Sequence, residues 1–163
     1  MKTFIKAGAV AVAICGLSTT LSADPKPAGA KNAPPQLVAN SVAGKTHIWK
    51  SCKGGIYYGG QWQAQAWCER KGPSIGIGTW SVNSKGRLCH ELTWYWPKGD
   101  GYGSKKEPVT DRQCDDHVVA PDGVLWRSWG GEKDWWKFDT NPNLVKGFKM
   151  KRKVTRLRKK LGV

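Results

Sequence analysis

Residues 87–96 read RLCHELTWYW and alternate strictly. Leu88, His90, Leu92, Trp94 and Trp96 fall on one side of an extended chain, and Arg87, Cys89, Glu91, Thr93 and Tyr95 on the other. A period of two residues is that of a half-buried β-strand, because successive side chains point to opposite faces of a sheet. Residues 59–69, GGQWQAQAWCE, repeat it: Trp62, Ala64, Ala66 and Cys68 share one face and Gln61, Gln63 and Gln65 the other. Between such runs lie turn signals at Gly54-Gly55, Asn83 to Gly86, Pro97 to Gly103, Asp122-Gly123 and Gly130-Gly131. No stretch of this block carries a helical stripe. The expectation is an all-β fold, a small antiparallel barrel or two-layer meander, with Trp62, Trp80 and Trp94 turned inward.

Outward from this block the chain changes character. It has 163 residues, 39% of them hydrophobic, with 27 Lys and Arg against 12 Asp and Glu for a net charge of +15. That length suits one domain and excludes a large enzyme with separate cofactor and substrate domains. Ten Trp argue against disorder, since aromatic rings need burial or a partner. Residues 1–23 combine Lys2 and Lys6 with an apolar run from Ala7 to Leu17 and small residues at Ser22 and Ala23. The pattern predicts a secretory signal peptide cut near Ala23, hence a periplasmic or secreted protein. The apolar run is shorter than the roughly 20 residues of a spanning helix, which argues against a retained anchor. Ile14 is not the small residue that lipid attachment at Cys15 wants.

Three parts remain. Residues 24–43 hold four Pro and no aromatic residue and read as a flexible Pro/Ala-rich leader. Residues 44–145 hold all ten Trp and Cys52, Cys68, Cys89 and Cys114, the expected disulfide-bonded β domain. Residues 146–163 hold nine basic residues and no acid, so most of the charge excess is concentrated there. Four cysteines allow three connectivities. Local pattern favours Cys52 with Cys68, which flank a Gly-Gly hairpin, and Cys89 with Cys114, on two later strands. Such bridges close loops of about 17 and 26 residues and contribute roughly 3 kcal/mol each.

In the tail, Met150, Val154, Leu157 and Leu161 make one helical stripe. Lys149, Lys151, Arg152, Lys153, Arg156, Arg158, Lys159 and Lys160 surround it as candidate anion-binding residues. Like charges at this density repel, so the helix is expected to form when an anionic surface neutralises it. A second candidate surface is RSWGGEKDWWKF, residues 127–138, which with Trp126 places Trp126, Trp129, Trp135 and Trp136 around Arg127, Lys133 and Lys137. Flat rings beside cations suit sugar faces and acidic headgroups, although Lys and Arg stems covering rings explain the same pattern.

The motifs resemble a family of small exported bacterial proteins known as domain of unknown function 995. The similar features run in order: Gly44-Lys45-Thr46 with Trp49, Gly55-Ile56-Tyr57, Gly78-Thr79-Trp80-Ser81-Val82, Gly86-Arg87-Leu88-Cys89 with Trp94, Cys114 with His117, Asp122-Gly123-Val124-Leu125-Trp126, and Trp135-Trp136-Lys137-Phe138. They cover roughly residues 44–148, and Cys52, Cys68 and the basic tail look like additions to the pattern. The resemblance implies a compact all-β domain with Cys89 paired to Cys114, and no reaction. Gly78-x-Trp80 is also similar to the floor of lipocalin-type barrels, an element equally explained by a ring packing on a glycine.

Catalytic candidates are sparse. His47, His90, His117, Asp115 and Asp116 are the available bases, and Glu69, Glu91, Asp115 and Asp116 the carboxylates for glycoside cleavage, with nothing to fix their separation. His90, Asp115 and His117 are of metal-ligand type. With residues 89 and 114 opposite one another, however, His90 faces residue 113 and His117 faces residue 86, too far apart for one ion. The expectation is therefore no catalytic residue, no metal and no cofactor. The chain reads as a non-enzymatic protein binding anionic lipid, lipopolysaccharide or acidic polysaccharide through its tail and Trp-rich surface. The rivals are a hydrolase of an envelope polymer and a nucleic-acid binder, the latter opposed by the export signal.

Overall fold

The computed structural model describes residues 24–70, 72–98, 103–104, 111–131 and 133–163. The expected signal segment 1–23, with Cys15, lies outside the described residues, as does most of the Pro97 to Gly103 turn. Alternating stretches form the strands as expected: β1 (Lys31–Asn32), β2 (Lys45–Trp49), β3 (Gly54–Tyr58), β4 (Gln63–Cys68), β5 (Ser74–Val82), β6 (Leu88–Tyr95), β7 (Pro97–Lys98), β8 (Gly103–Ser104), β9 (Asp111–Val119), β10 (Leu125–Trp129), β11 (Trp136–Lys137) and β12 (Leu144–Lys146). Two helices, α1 (Pro35–Val42) and α2 (Lys151–Leu161), flank them.

Apart from the β7–β8 pair, the strands form one antiparallel sheet in the order β11-β10-β9-β6-β5-β4-β3-β2-β12, with β1 on β9. The sheet curls into a half-barrel. Close strand approach accompanies the curl: a Cβ added at Gly78 would lie 1.8 Å from the carbonyl oxygen of Glu91 on β6. Inside the curl, Ile56, Tyr58, Ala64, Ala66, Trp80, Leu88, Leu92, Leu125 and Phe138 form the main core. Trp80 is anchored in this core, its indole N–H donating to the carbonyl of Gly59 at 3.0 Å.

Four expectations need correction here. Residues 24–43 are not a flexible leader. Pro35 opens α1 at a position where a missing N–H costs nothing, and Val38, Ala39 and Val42 are buried in the main core. Asp24 pairs with Trp135, and β1 pairs with β9. Trp62 is not turned inward. Gln61 and Trp62 have φ of 52° and 60°, so a left-handed turn breaks the alternation and leaves Trp62 51% exposed, tilted against Trp80 at 4.6 Å.

The third concerns the tail, whose helix needs no anionic surface. Val154, Leu157 and Leu161 are buried on the convex face of the sheet against Trp67 and Ile75, with Phe148 and Met150 packed beside them. Burying such side chains contributes roughly 1.5–3 kcal/mol each, against a few tenths per like-charge pair, so packing wins. Gly162, at φ 69°, ends the helix in the left-handed conformation. The fourth concerns the bridges: Cys89 and Cys114, opposite in register, are joined, whereas Cys52 and Cys68 are free thiols.

Candidate functional site

Helix α2, with Lys149 just before it, presents the candidate anion-binding residues to solvent. Lys149, Lys151, Arg152, Lys153, Arg156, Arg158, Lys159 and Lys160 are all exposed. Their seat is well fixed. Thr46 donates its hydroxyl to the carbonyl of Gly147 at 2.6 Å and accepts the backbone N–H of Lys149 at 3.1 Å, while Phe148 stacks on Tyr57 at 4.6 Å. Glu69 then clamps the helix to β4. Its carboxylate accepts the ammonium of Lys153 at 2.6 Å and the indole N–H of Trp67 at 2.9 Å. These two hydrogen bonds hold the carboxyl below its ordinary pKa. The remaining outer cations form a band whose apolar counterpart is already consumed by the sheet.

The expected aromatic surface is dismantled. Trp126 and Trp135 are buried on the convex side of β9 and β10 among Val118 and Ala120, with Ala30 against them and the ammonium of Lys26 over Trp135 at 5.6 Å. The segment read as a leader therefore covers them. Arg127 points the other way, into the curl, and is only 9% exposed. Trp136 is half-buried, and Trp129, 47% exposed, is the ring of this group that faces solvent.

The carboxylates and histidines separate by the same alternation. Asp116 lies on the convex face and pairs with Arg87 at 2.9 Å, whereas Asp115 lies on the concave face with Arg127 at 3.5 Å. Glu69 and Glu91 also lie on the convex face, Glu69 engaged by Lys153 and Trp67 and Glu91 opposite Arg112 on β9, and Asp115 is set apart from all three by the sheet. His90 stands opposite Gln113, as the register argument requires. Among the described residues no group of three or more His, Cys, Asp or Glu could hold a metal ion.

What the curl does bring together is a cavity of about 390 Å³ on its concave side. His47, His90 and Arg127 line it with Trp49, Trp94 and Trp129. Asp111, Gln113 and Asn143 add polar groups, and Cys52 and Cys68 sit at its border. The guanidinium of Arg127 contacts the His47 ring nitrogens at 3.4 Å, and its Nε, fully buried, has no hydrogen-bond partner. Burial, with Arg127 beside it, pushes His47 down to about 3, and burial holds His90 at about 4. Both rings are neutral near pH 7. Burial and the bond to Cys68 push the Cys52 thiol up to about 12. Sequence reading singled out His47, His90, Arg127 and Trp129 separately. It missed Trp49, Asp111, Gln113 and Asn143, whose only signal is their inward phase on strands that meet in the curl or, for Asn143, the turn before β12.

A disulfide-linked antiparallel half-barrel carrying a cationic helix on its convex face defines a small all-β protein. The chain belongs to the family described as "Protein of unknown function (DUF995)", whose model matches residues 9–156. That match includes Cys52, Cys68 and the first half of α2, so these lie within the family region. No curated protein and no solved structure matches the chain.

Proposed function

We propose that this is a non-enzymatic protein of the periplasm or the extracellular space that adheres to anionic envelope components through the outer face of α2. The observation that carries the reading is the division of labour on that helix. Its apolar stripe is buried on β4 and β5, and its cations, apart from Lys153 in its pair with Glu69, face outward. A helix so seated adheres by charge and cannot bury its stripe in a bilayer, unlike an interfacial amphipathic helix. Each cation near an anionic surface contributes about 1 kcal/mol, weakened by salt. Acidic phospholipid, lipopolysaccharide phosphate and acidic polysaccharide all supply such a surface.

The test is sedimentation with vesicles of phosphatidylglycerol, of lipopolysaccharide, and of phosphatidylcholine alone, across a salt gradient. Binding is expected to the first two and to fall steeply with salt. The variant K151Q/R152Q/R156Q/K159Q, which leaves the buried stripe and the Lys153–Glu69 pair in place, should lose about tenfold or more in affinity. Undiminished binding by that variant, or equal binding to phosphatidylcholine, sinks the proposal.

A further inference from the structure

We infer that the concave cavity is a binding site for a singly charged sugar acid, a hexuronate, with its carboxylate on Arg127 and its ring against Trp129. The argument begins with Arg127. Arg127 is 9% exposed, its contact with the Asp115 carboxylate is long at 3.5 Å, and its Nε–H is buried without an acceptor, so the guanidinium is incompletely satisfied. Unpaired buried donors are costly, and a carboxylate meeting the guanidinium at the cavity wall strengthens its partnership through charge-assisted, fork-shaped hydrogen bonds. The fold holds this cation at the wall of a cavity whose volume of about 390 Å³ lies within the roughly 300–1,000 Å³ of small-molecule sites.

The lining narrows the ligand. Trp49, Trp94 and Trp129 offer ring faces, and Trp49 and Trp94 lie tilted at 41° with centroids 6.4 Å apart. The electron-rich face of an indole accepts the polarised C–H face of a pyranose. Asp111, Gln113 and Asn143 bring hydrogen-bonding groups to the same cavity, which a purely aromatic acid would leave unused and hydroxyls would engage. Two carboxylates face inward here, Asp111 on the cavity wall and Asp115 beside Arg127. Against them stand two cations, Arg127 and Lys50, which also lines the cavity, so the lining has no spare positive charge for a dianion and suits a carboxylate better than a phosphate ester. His47 and His90 are neutral and can accept or donate at the same wall without adding charge. The site lies on the opposite face of the sheet from α2 and rests on none of its cations.

The experiment is titration of the full mature protein with D-galacturonate, followed by tryptophan fluorescence and calorimetry in 0.15 M salt. D-galactose, galactose 6-phosphate and benzoate are the comparison ligands. Galacturonate should bind at least about tenfold more tightly than each of them. Trp129→Ala, at an exposed position, should weaken it about tenfold without lowering the melting temperature, and Arg127→Lys, which keeps the charge and loses the fork, should do the same. The variant K151Q/R152Q/R156Q/K159Q should bind galacturonate as the parent does, which separates this site from adhesion by the helix. No binding of galacturonate overturns the inference. So does equal or tighter binding of galactose, the phosphate ester or benzoate, or affinity unchanged in Trp129→Ala.

Discussion

Arg127 on β10 and His47 on β2 come from positions 80 residues apart and meet at 3.4 Å inside the curl. The contact is possible because the imidazole is neutral: a protonated ring would set two cations together in a buried site. Half-buried His90 and buried His117 are also neutral, held at about 4 mainly by the loss of water around them. His117 packs edge-on to Phe138 at 4.9 Å. The concave face is thus built around three imidazoles that the fold keeps uncharged.

Stability should therefore fall on mild acidification. Above pH 6.5 the three rings are neutral in both the folded and unfolded chain. Below it the unfolded chain takes up protons that the folded one refuses, until the folded values of about 3 to 4 are reached. Each group then costs about 1.4 kcal/mol per pH unit across that window. The melting temperature should drop clearly between pH 7 and pH 5, and His90→Gln should flatten the drop. A melting temperature constant over that interval would falsify the account.

Seating of α2 makes a second prediction. Leu157→Ala opens a hole between the helix and Trp67 and Ile75, and large-to-small changes of this kind cost about 2–5 kcal/mol. Exchange of α2 backbone amides should rise with it. Arg156→Gln, one residue away on the exposed face, should move neither stability nor exchange measurably. Equal effects of the two substitutions would mean that the helix is not held by its stripe.

The alternation at 87–96 made the strand, its inward face and its register against β9 readable, since a period of two leaves little freedom once Cys89 and Cys114 are opposite. The half-barrel's other contributors were hidden for physical reasons. Pro34-Pro35 reads as extended chain, yet Pro is also at home in the first turn of a helix, and three apolar residues in α1 are too few to announce a stripe. Trp126 and Trp135 read as external because residues 24–30, which cover them, carry no apolar pattern that announces a seat on the sheet. The cavity was illegible because its walls come from strands remote in sequence, and their meeting depends on the curl.

That covering segment gives a third prediction. Deleting residues 24–30 removes the Asp24–Trp135 pairing and the contacts of Lys26 and Ala30, while leaving β1 and α1. Trp126 and Trp135 should then become wet. Tryptophan emission should shift to the red and acrylamide quenching should increase, with far-UV dichroism retained. An emission spectrum identical to that of the parent would show that the two rings owe their burial to the sheet alone.

The two free thiols should differ in reactivity. Cys52 is buried, and burial together with the hydrogen bond to Cys68 pushes it up to about 12, so its thiolate is nearly absent at pH 7. Cys68 is half-buried on the cavity border and is the thiol a reagent can reach. Native protein kept in mild reductant and pulsed with N-ethylmaleimide should carry the label at Cys68 first in site-resolved mass spectrometry, with Cys52 labelled only after denaturation. Because both thiols line the same cavity, a disulfide-exchanging oxidant such as oxidised glutathione should first form a mixed disulfide at Cys68, releasing one glutathione thiolate. Cys52 should then displace the second glutathione and close the Cys52–Cys68 bridge. Labelling of Cys52 as fast as Cys68 in the folded protein would show that burial does not protect it and that no order of attack is imposed.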